Sequence, residues 1–325
     1  MHTQVNPDQS VTFRLYAPRA HHVEVSGNFS LWEQIPLEPK GQGLWELTTQ
    51  SLGSRDIIYK FVIDGNYAKD PRILRTDKTS DDNSLLSTSG EKGTLLHDSL
   101  YSNALGREMN YVVYLPPNYF LTNNKYPVLY LMCGLLDYEL SWATKGNLAE
   151  ISDGLVAEDL TQEMVIVMPD KHEAWTSQND QHLFHEYMTN DVIPQITQKY
   201  RVWQGFGGQA IEGLSIGAHW AYKIACNNPY QFASVSLLSC PISEELYNLT
   251  RESLNHLKNS GLRVRVNCGD GEQELIPECD RFYNFLTELQ VPCEFYVGQG
   301  PHDWPLWQRE IYNSLQFHSS SFKAM

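Results

Sequence analysis

The stretch of the chain best suited to chemistry is Gly213-Leu214-Ser215-Ile216-Gly217, a G-x-S-x-G pentapeptide. A serine hydroxyl is a weak nucleophile until a base takes its proton. It must also stand clear of its own backbone, on a sharp turn between a strand and a helix. Small residues on both sides let such a turn close. The N-terminus of the following helix then brings free N–H groups and a positive dipole beneath the reacting oxygen. "AYKIACNNP", just after the pentapeptide, has helical spacing.

The base is expected to be a histidine, and in nucleophile elbows of this kind the chain order is serine, acid, histidine. Further along the chain stand His256, His302 and His318. His256 falls in the polar helical run "ESLNHLKNS" and reads as a solvated surface residue, while His318 lies in the tail. His302 sits in "GQGPHDWPLW", directly after the strand "CEFYV" and before a helix. A loop at the carboxyl edge of a parallel sheet would hold it there; the alternative is a turn histidine capping the last helix. His219, four residues past Ser215, reads as a helix-face residue rather than a second base. The acid belongs in the loop after "RVRVN", which continues "CGDGEQE". Asp270, Glu272 and Glu274 could each accept the Nδ1–H bond that orients an imidazole. Glu272 is the first choice and Asp270 the second; spacing alone does not separate them.

These residues need a parallel sheet to carry them. "EMNYVVYLPPNY", "YPVLYLMCG", "MVIVMPD", "FASVSLLSC", "LRVRVNCGD" and "CEFYVGQG" read as strands. Between them "NLAEISDGLVAEDL", "HEYMTNDVIPQITQKY", "HWAYKIACNNP", "CDRFYNFLTELQ" and "WPLWQREIYNSLQFH" read as helices, with Pro194 kinking or interrupting the second. Strands alternating with helices predict an α/β fold with a mostly parallel sheet covered on both sides. Trp142, Trp175, Trp304 and Trp307 either line a substrate cleft or pack.

Residues 10–88 follow a different rhythm. "VTFRLYAP" alternates apolar Val11, Phe13 and Leu15 with polar Thr12 and Arg14, and "HHVEVSGNF", "GLWELTTQ" and "IIYKFVIDGNY" repeat the period of two. A small all-β sandwich follows. "FRLYAP", "VEVSGNFSLW", "GLWEL", "YKFVIDGNYAKDP" and "DDNS" together resemble the glycogen-binding type of carbohydrate module, an early-set immunoglobulin-like domain. In its sugar-binding members two aromatic rings stack on the glucan beside a lysine and an asparagine. The matching positions are Trp32, Tyr67, Lys60 and Asn83, with Tyr67 where tryptophan is usual. The other reading is that Trp32, Trp45 and Tyr59 fill the sandwich core. Residues 89–106 are a linker or a first edge strand, which gives a sandwich over 1–98 and an α/β domain over 99–325.

The second domain also carries a resemblance. "NYVVYLPPNY", "YPVLYLMCG", "VIVMPD", "MTNDVIPQITQKYR", "IEGLSIGAHWAYKIACNNPYQFASVSLLS" and "PHDWPLW" are similar to the putative-esterase branch of the α/β-hydrolases. That branch holds enterochelin, feruloyl and esterase-D-type esterases. The resemblance implies an acid three positions after the glycine ending its strand. Gly269 matches that glycine, which points to Glu272. It also implies an oxyanion hole made by the backbone N–H groups of Leu135 and Ile216. Where the family reads His-Gly-Gly, this chain has Cys133-Gly134-Leu135.

With 325 residues and 42% hydrophobic content the chain can bury a substantial core. A net charge of −15 without a basic cluster speaks against nucleic acid and disfavours a highly anionic substrate. The six cysteines lack CxxC pairs, so no metal site or disulfide framework is expected and a reducing cytoplasm is. No secretory signal or membrane span is read, and no cofactor. The expected activity is serine carboxylic ester hydrolysis through an acyl-enzyme. The substrate is a siderophore or an acylated or aromatic glycan ester. The competing expectation, favoured by Cys133 and Leu135, is a hydrolase-fold protein that has lost catalysis and binds glycan.

Overall fold

The computed structural model describes residues 2–77, 80–171, 181–205 and 207–323. Trp175, one of the four candidate cleft tryptophans, lies outside them. The chain divides into two compact units. One comprises Met1–Asp98 with Tyr114–Asn124, the other Ser99–Val113 with Lys125–Met325.

The first unit contains two antiparallel sheets. One runs in the order Gln4–Val5, Val11–Tyr16, Leu44–Thr48, Glu38–Gly41. The other runs Ile35–Pro36, Val23–Gly27, Asp56–Ile63, Ser80–Ser87, Thr76–Asp77, with Asn66–Ala68 also paired to Asp56–Ile63. Alternation fixes what is inside: Val11, Phe13, Leu15, Tyr59 and Phe61 are all buried. Phe13 meets Tyr59 edge-on at 4.9 Å and stacks on Phe29 at 5.1 Å, so rings from both sheets interlock. The Tyr59 hydroxyl donates to buried Asp70, as does Thr3. Tyr59 is therefore a core ring, but Trp32 is not; 43% of it is exposed.

An eight-stranded sheet lies mostly in the second unit. Its strands are β1 (Thr94–Ser102), β2 (Arg107–Leu115), β3 (Val128–Met132), β4 (Val165–Pro169), β5 (Gln209–Leu214), β6 (Ser234–Leu238), β7 (Arg263–Gly269) and β8 (Cys293–Gly298). The spatial order is β1-β2-β4-β3-β5-β6-β7-β8, parallel from β4 through β8. Every residue of β3, β4, β5 and β6 is buried, as a doubly covered sheet requires. Strands β3 and β4 are continuous apolar runs, while β5 and β6 also bury polar Gln209, Glu212, Ser234 and Ser236. The helices are α1 (Ser141–Thr144), α2 (Leu148–Ala157), α3 (Gln181–Glu186), α4 (Ile193–Lys199), α5 (Ile216–Asn227), α6 (Glu244–Ser260), α7 (Leu275–Glu288) and α8 (Trp304–Ser321). Helices α5 and α8 both pack on β6, α5 also on α6, and α8 on α2. This is the α/β-hydrolase architecture the sequence predicts. Among the described residues no helix is long and apolar enough to cross a membrane.

The structure decides two readings the sequence left open and corrects one. The ambiguous segment after residue 89 holds an edge strand, β1, rather than a linker. The helix around Pro194 is broken in two, with a π-helical segment Tyr187–Val192 between α3 and α4. Pro194 cannot donate a backbone bond, and the chain absorbs the loss in a wider turn just before it. His318 is not in a loose tail. It lies on α8, fully buried, with Nδ1 2.7 Å from Ser234 Oγ and Nε2 3.1 Å from Glu212 Oε2.

Candidate active site

Strand β5 ends at Leu214 and α5 begins at Ile216, so Ser215 alone makes the turn. It does so at φ 54°, ψ −126°, a backbone region costly for a side chain with a Cβ. The turn is held because the Ser215 N–H donates to Leu238 O at 2.7 Å. Gly213 is required by contact: a Cβ there would stand 2.2 Å from the backbone of Gly217. As the first residue of α5, Ile216 carries an N–H without an intrahelical acceptor.

The two loops beyond the sheet edge interlock. From the β7 loop, the Asp270 N–H donates to Gly298 O at 2.7 Å and Gly271 N–H to Gly300 O at 3.0 Å. A Cβ on Gly269 would lie 2.1 Å from Gly300 O, so the approach requires glycine. Asp270, the second-choice acid, is engaged elsewhere; its Oδ1 accepts the Gly300 N–H at 2.8 Å. Glu274 is exposed at the start of α7. Glu272 is buried, and its Oε2 accepts Gly269 N–H at 2.5 Å and Ser239 Oγ–H at 2.9 Å. That leaves Oε1 for Nδ1 of His302, with which it forms a short contact. On the other side of the ring, Nε2 of His302 lies 3.2 Å from Ser215 Oγ. Asp303, not His302, caps α8 by accepting the Leu306 N–H. A serine, an imidazole and a buried carboxylate thus stand in one hydrogen-bonded line, the arrangement for moving a proton off the serine.

Of the tryptophans, Trp142 is fully buried and donates to Met132 O at 3.3 Å. Trp307 is buried against the imidazole, edge-on at 5.0 Å, and donates to Ser239 Oγ at 3.1 Å. Trp304 bridges the other two rings edge-on at 5.1 and 5.4 Å. These three pack. A cleft of about 430 Å³ opens beside His302, lined by Gly271, Glu272, Gln273, Glu274 and Leu275.

The Cys133-Gly134-Leu135 loop lies against Ser215. A Cβ on Gly134 would come 2.7 Å from Leu214 Cδ1 and 3.7 Å from Ser215 Cβ. Burial pushes the Cys133 thiol up to about 12, which makes it an inert core group. Leu135, Leu136 and Tyr138 are exposed. Sequence reasoning missed Ser239, which ties Glu272 to Trp307, and Asp137, which accepts from Lys145 at 2.8 Å and from Trp304 Nε1 at 3.3 Å.

Residues 102–318 match the family described as "Putative esterase". The chain belongs to that family. It is an esterase, and residues 1–79 match carbohydrate-binding module 48, the isoamylase N-terminal domain. An endo-1,4-beta-xylanase/feruloyl esterase of Xylanibacter ruminicola is 25% identical over 96% of this chain. The chain spans only 45% of that protein's length. A solved ferulic acid esterase is 28% identical, with a TM-score of 0.62 over 71% of this chain and 99% of its own. The enterobactin esterase of Shigella flexneri shares the fold of both units: TM-score 0.54, 14% identity, 95% of this chain and 92% of its own.

In the first unit, the structure brings three of the four candidate sugar-binding residues together. Lys60 Nζ stands 4.3 Å from the centroid of the exposed Tyr67 ring and 5.6 Å from that of Trp32. Leu31 and Trp32 are consecutive left-handed residues, at φ 54° and 67°. Asn83, on the strand next to that of Lys60, is buried with its Oδ1 unpartnered among the described residues.

Proposed function

We propose that the esterase hydrolyses an aromatic acyl ester carried on a glycan, with Ser215 as nucleophile, His302 as general base and Glu272 as its orienting acid. The observation that supports it is the line of contacts from Ser215 Oγ through both nitrogens of His302 to Glu272 Oε1. Ser215 Oγ bonds to the ester carbonyl carbon as its proton passes to His302 Nε2. The N–H groups of Leu135 and Ile216 hold the oxyanion. As the tetrahedral intermediate collapses, the alcohol leaves with the proton from His302. Water, deprotonated by the same imidazole, then releases the acid and restores Ser215.

The substrate class rests on the relatives. Two of the relatives that match in sequence, the xylanase/feruloyl esterase at 25% identity and the ferulic acid esterase at 28%, carry that activity in their names, while the enterobactin enzyme at 14% shares the fold alone. Net charge of −15 also gives a highly anionic ferric siderophore no attraction. Six free thiols, five of them buried, fit the cytoplasmic location that belongs to the same proposal. The test is a panel of feruloyl-arabinose, 4-nitrophenyl and triscatecholate esters followed by chromatography. Release of ferulate as the fastest reaction is expected; a preference for the triscatecholate would overturn the substrate.

A second role is favoured by the exposed aromatic pair. Two successive left-handed residues are costly, and they hold Trp32 outward beside Lys60 and Tyr67. We propose that this face binds glucan by ring stacking. Affinity electrophoresis in amylopectin should show retardation of the protein that Trp32→Ala and Lys60→Ala each remove; equal mobility of all three would end the idea.

A further inference from the structure

The loop that flanks the nucleophile departs from the family's glycine-rich form, yet it is tightly braced from one side chain. Lys171, two residues past the end of β4, directs its ammonium into the concave side of this loop. It donates to Gly134 O at 2.5 Å and makes shorter contacts with the carbonyls of Leu135 and Asp137. An ammonium has three protons, and three carbonyls of one turn converge on it. Gly134 O also accepts the Asp137 N–H at 3.2 Å.

The first of these carbonyls matters most. Gly134 C=O and Leu135 N–H belong to one planar trans peptide, in which the two bonds point in opposite directions. A cation fixed on the oxygen therefore aims the N–H away from Lys171. It also draws electron density from the nitrogen, which strengthens the N–H as a donor. We propose that Lys171 is a positioning residue of the oxyanion hole, which orients and polarises the Gly134–Leu135 peptide toward the charge that forms on the substrate. The proposal rests on the assignment of Leu135 N–H as an oxyanion donor. It gives a physical reason why the loop tolerates leucine where glycine is usual: the peptide plane is set by a cation behind it rather than by backbone freedom. Half-burial lowers the lysine's proton affinity, the cost of holding a charge there. Asp137 offsets part of it while anchoring the far end of the loop through Lys145 and Trp304.

The test compares wild type, Lys171→Met, Lys171→Gln and Ser215→Ala on 4-nitrophenyl acetate. It adds inhibition by an aryl trifluoromethyl ketone. Ser215 Oγ adds to that ketone's carbon as its proton moves to His302, which leaves an oxyanion in the same place as the transition state's. Lys171→Met is expected to lower kcat by about 10- to 100-fold with KM within about 2-fold, less than deleting a donor outright. The ketone's Ki should rise by the same factor, while binding of the matching methyl ketone, which stays a neutral carbonyl, should not change. Lys171→Gln, which keeps a neutral donor in the same space, should fall between and carries the test alone if the methionine variant does not fold. Wild-type kcat and Ki in the lysine variants, with Ser215→Ala inactive, would overturn the role of Lys171 only. A lower kcat with an unchanged Ki would do the same. Undiminished turnover by Ser215→Ala would instead remove the catalytic assignment beneath it.

Discussion

His302 Nε2 stands 3.2 Å from Ser215 Oγ, although 87 positions separate the two residues in the chain. The distance follows from the sheet. Serine and histidine leave the carboxyl ends of β5 and β8, and all the strands between them run parallel, so both loops emerge at one edge. Trp307 packs against the imidazole edge-on and keeps it there.

Glu272→Gln should separate the acid from its neighbour. The amide cannot meet the Gly269 N–H, the Ser239 hydroxyl and the His302 Nδ1–H together, so the ring loses its orientation. A fall in kcat of about 10³- to 10⁴-fold is expected. Asp270→Asn disturbs only the Gly300 N–H contact and should cost less than about 10-fold. Kinetics on 4-nitrophenyl acetate decides; the reverse ranking would move the acid to Asp270.

Gly213→Ala tests the elbow itself. The added methyl would meet Gly217 backbone at 2.2 Å and no side chain can yield, so a loss of about 3 kcal/mol or more is expected. Gly154 on α2 has open space around its missing Cβ. Gly154→Ala should therefore stabilise the chain by about 0.5–1 kcal/mol. Denaturant melts of the two variants should shift in opposite directions.

A buried polar cluster is centred on β5, the strand that leads into Ser215. Glu212 Oε2 accepts from Ser314 at 2.9 Å and lies 3.1 Å from His318 Nε2, and all three side chains are buried. His318→Leu leaves the buried Glu212 carboxyl with only its serine partners, Ser314 and Ser236, and should cost about 1–3 kcal/mol. Pairing it with Glu212→Leu should cost clearly less than the sum of the two single changes. Additive losses in a double-mutant cycle would show that the pair is not coupled.

Asp70 makes the first unit sensitive to pH. Burial raises its carboxyl above the ordinary value, and the bonds from Thr3, Arg72 N–H and Tyr59 only partly oppose this. The folded chain then holds this proton more tightly than the unfolded chain. The contribution to stability is complete below the unfolded value of about 3.9 and is lost as pH rises through the folded one. Asp70→Asn should flatten the decline of Tm that wild type shows in that window. An identical slope in both proteins would assign the decline elsewhere.

What the sequence made legible was what depends on local pattern. Alternation in "VTFRLYAP" and the continuous apolar run of β4 fixed the two sheet types, and the G-x-S-x-G turn with the loop of His302 pointed to one sheet edge, whereas β5, with Gln209 and Glu212 inside it, gave no apolar run to read. The acid was narrower than chemistry alone allowed. Asp270 and Glu272 are equal in type, and what separates them is the glycine contact between Gly269 and Gly300, which turns Asp270 onto a backbone N–H. Lys171, Ser239 and Asp137 carried no spacing signal, because each acts across the fold on a loop distant in sequence. His318 was hidden for a similar reason: its partners Glu212 and Ser234 lie on central strands, and burial cannot be read from a residue near the chain's end.

The most direct measurement is the initial rate of 4-nitrophenyl acetate hydrolysis by Ser215→Ala beside wild type, with matching circular dichroism and Tm. A loss of at least about 10⁴-fold is expected, since removing the nucleophile leaves only binding and oxyanion stabilisation. Equal rates in two equally folded proteins would contradict the account.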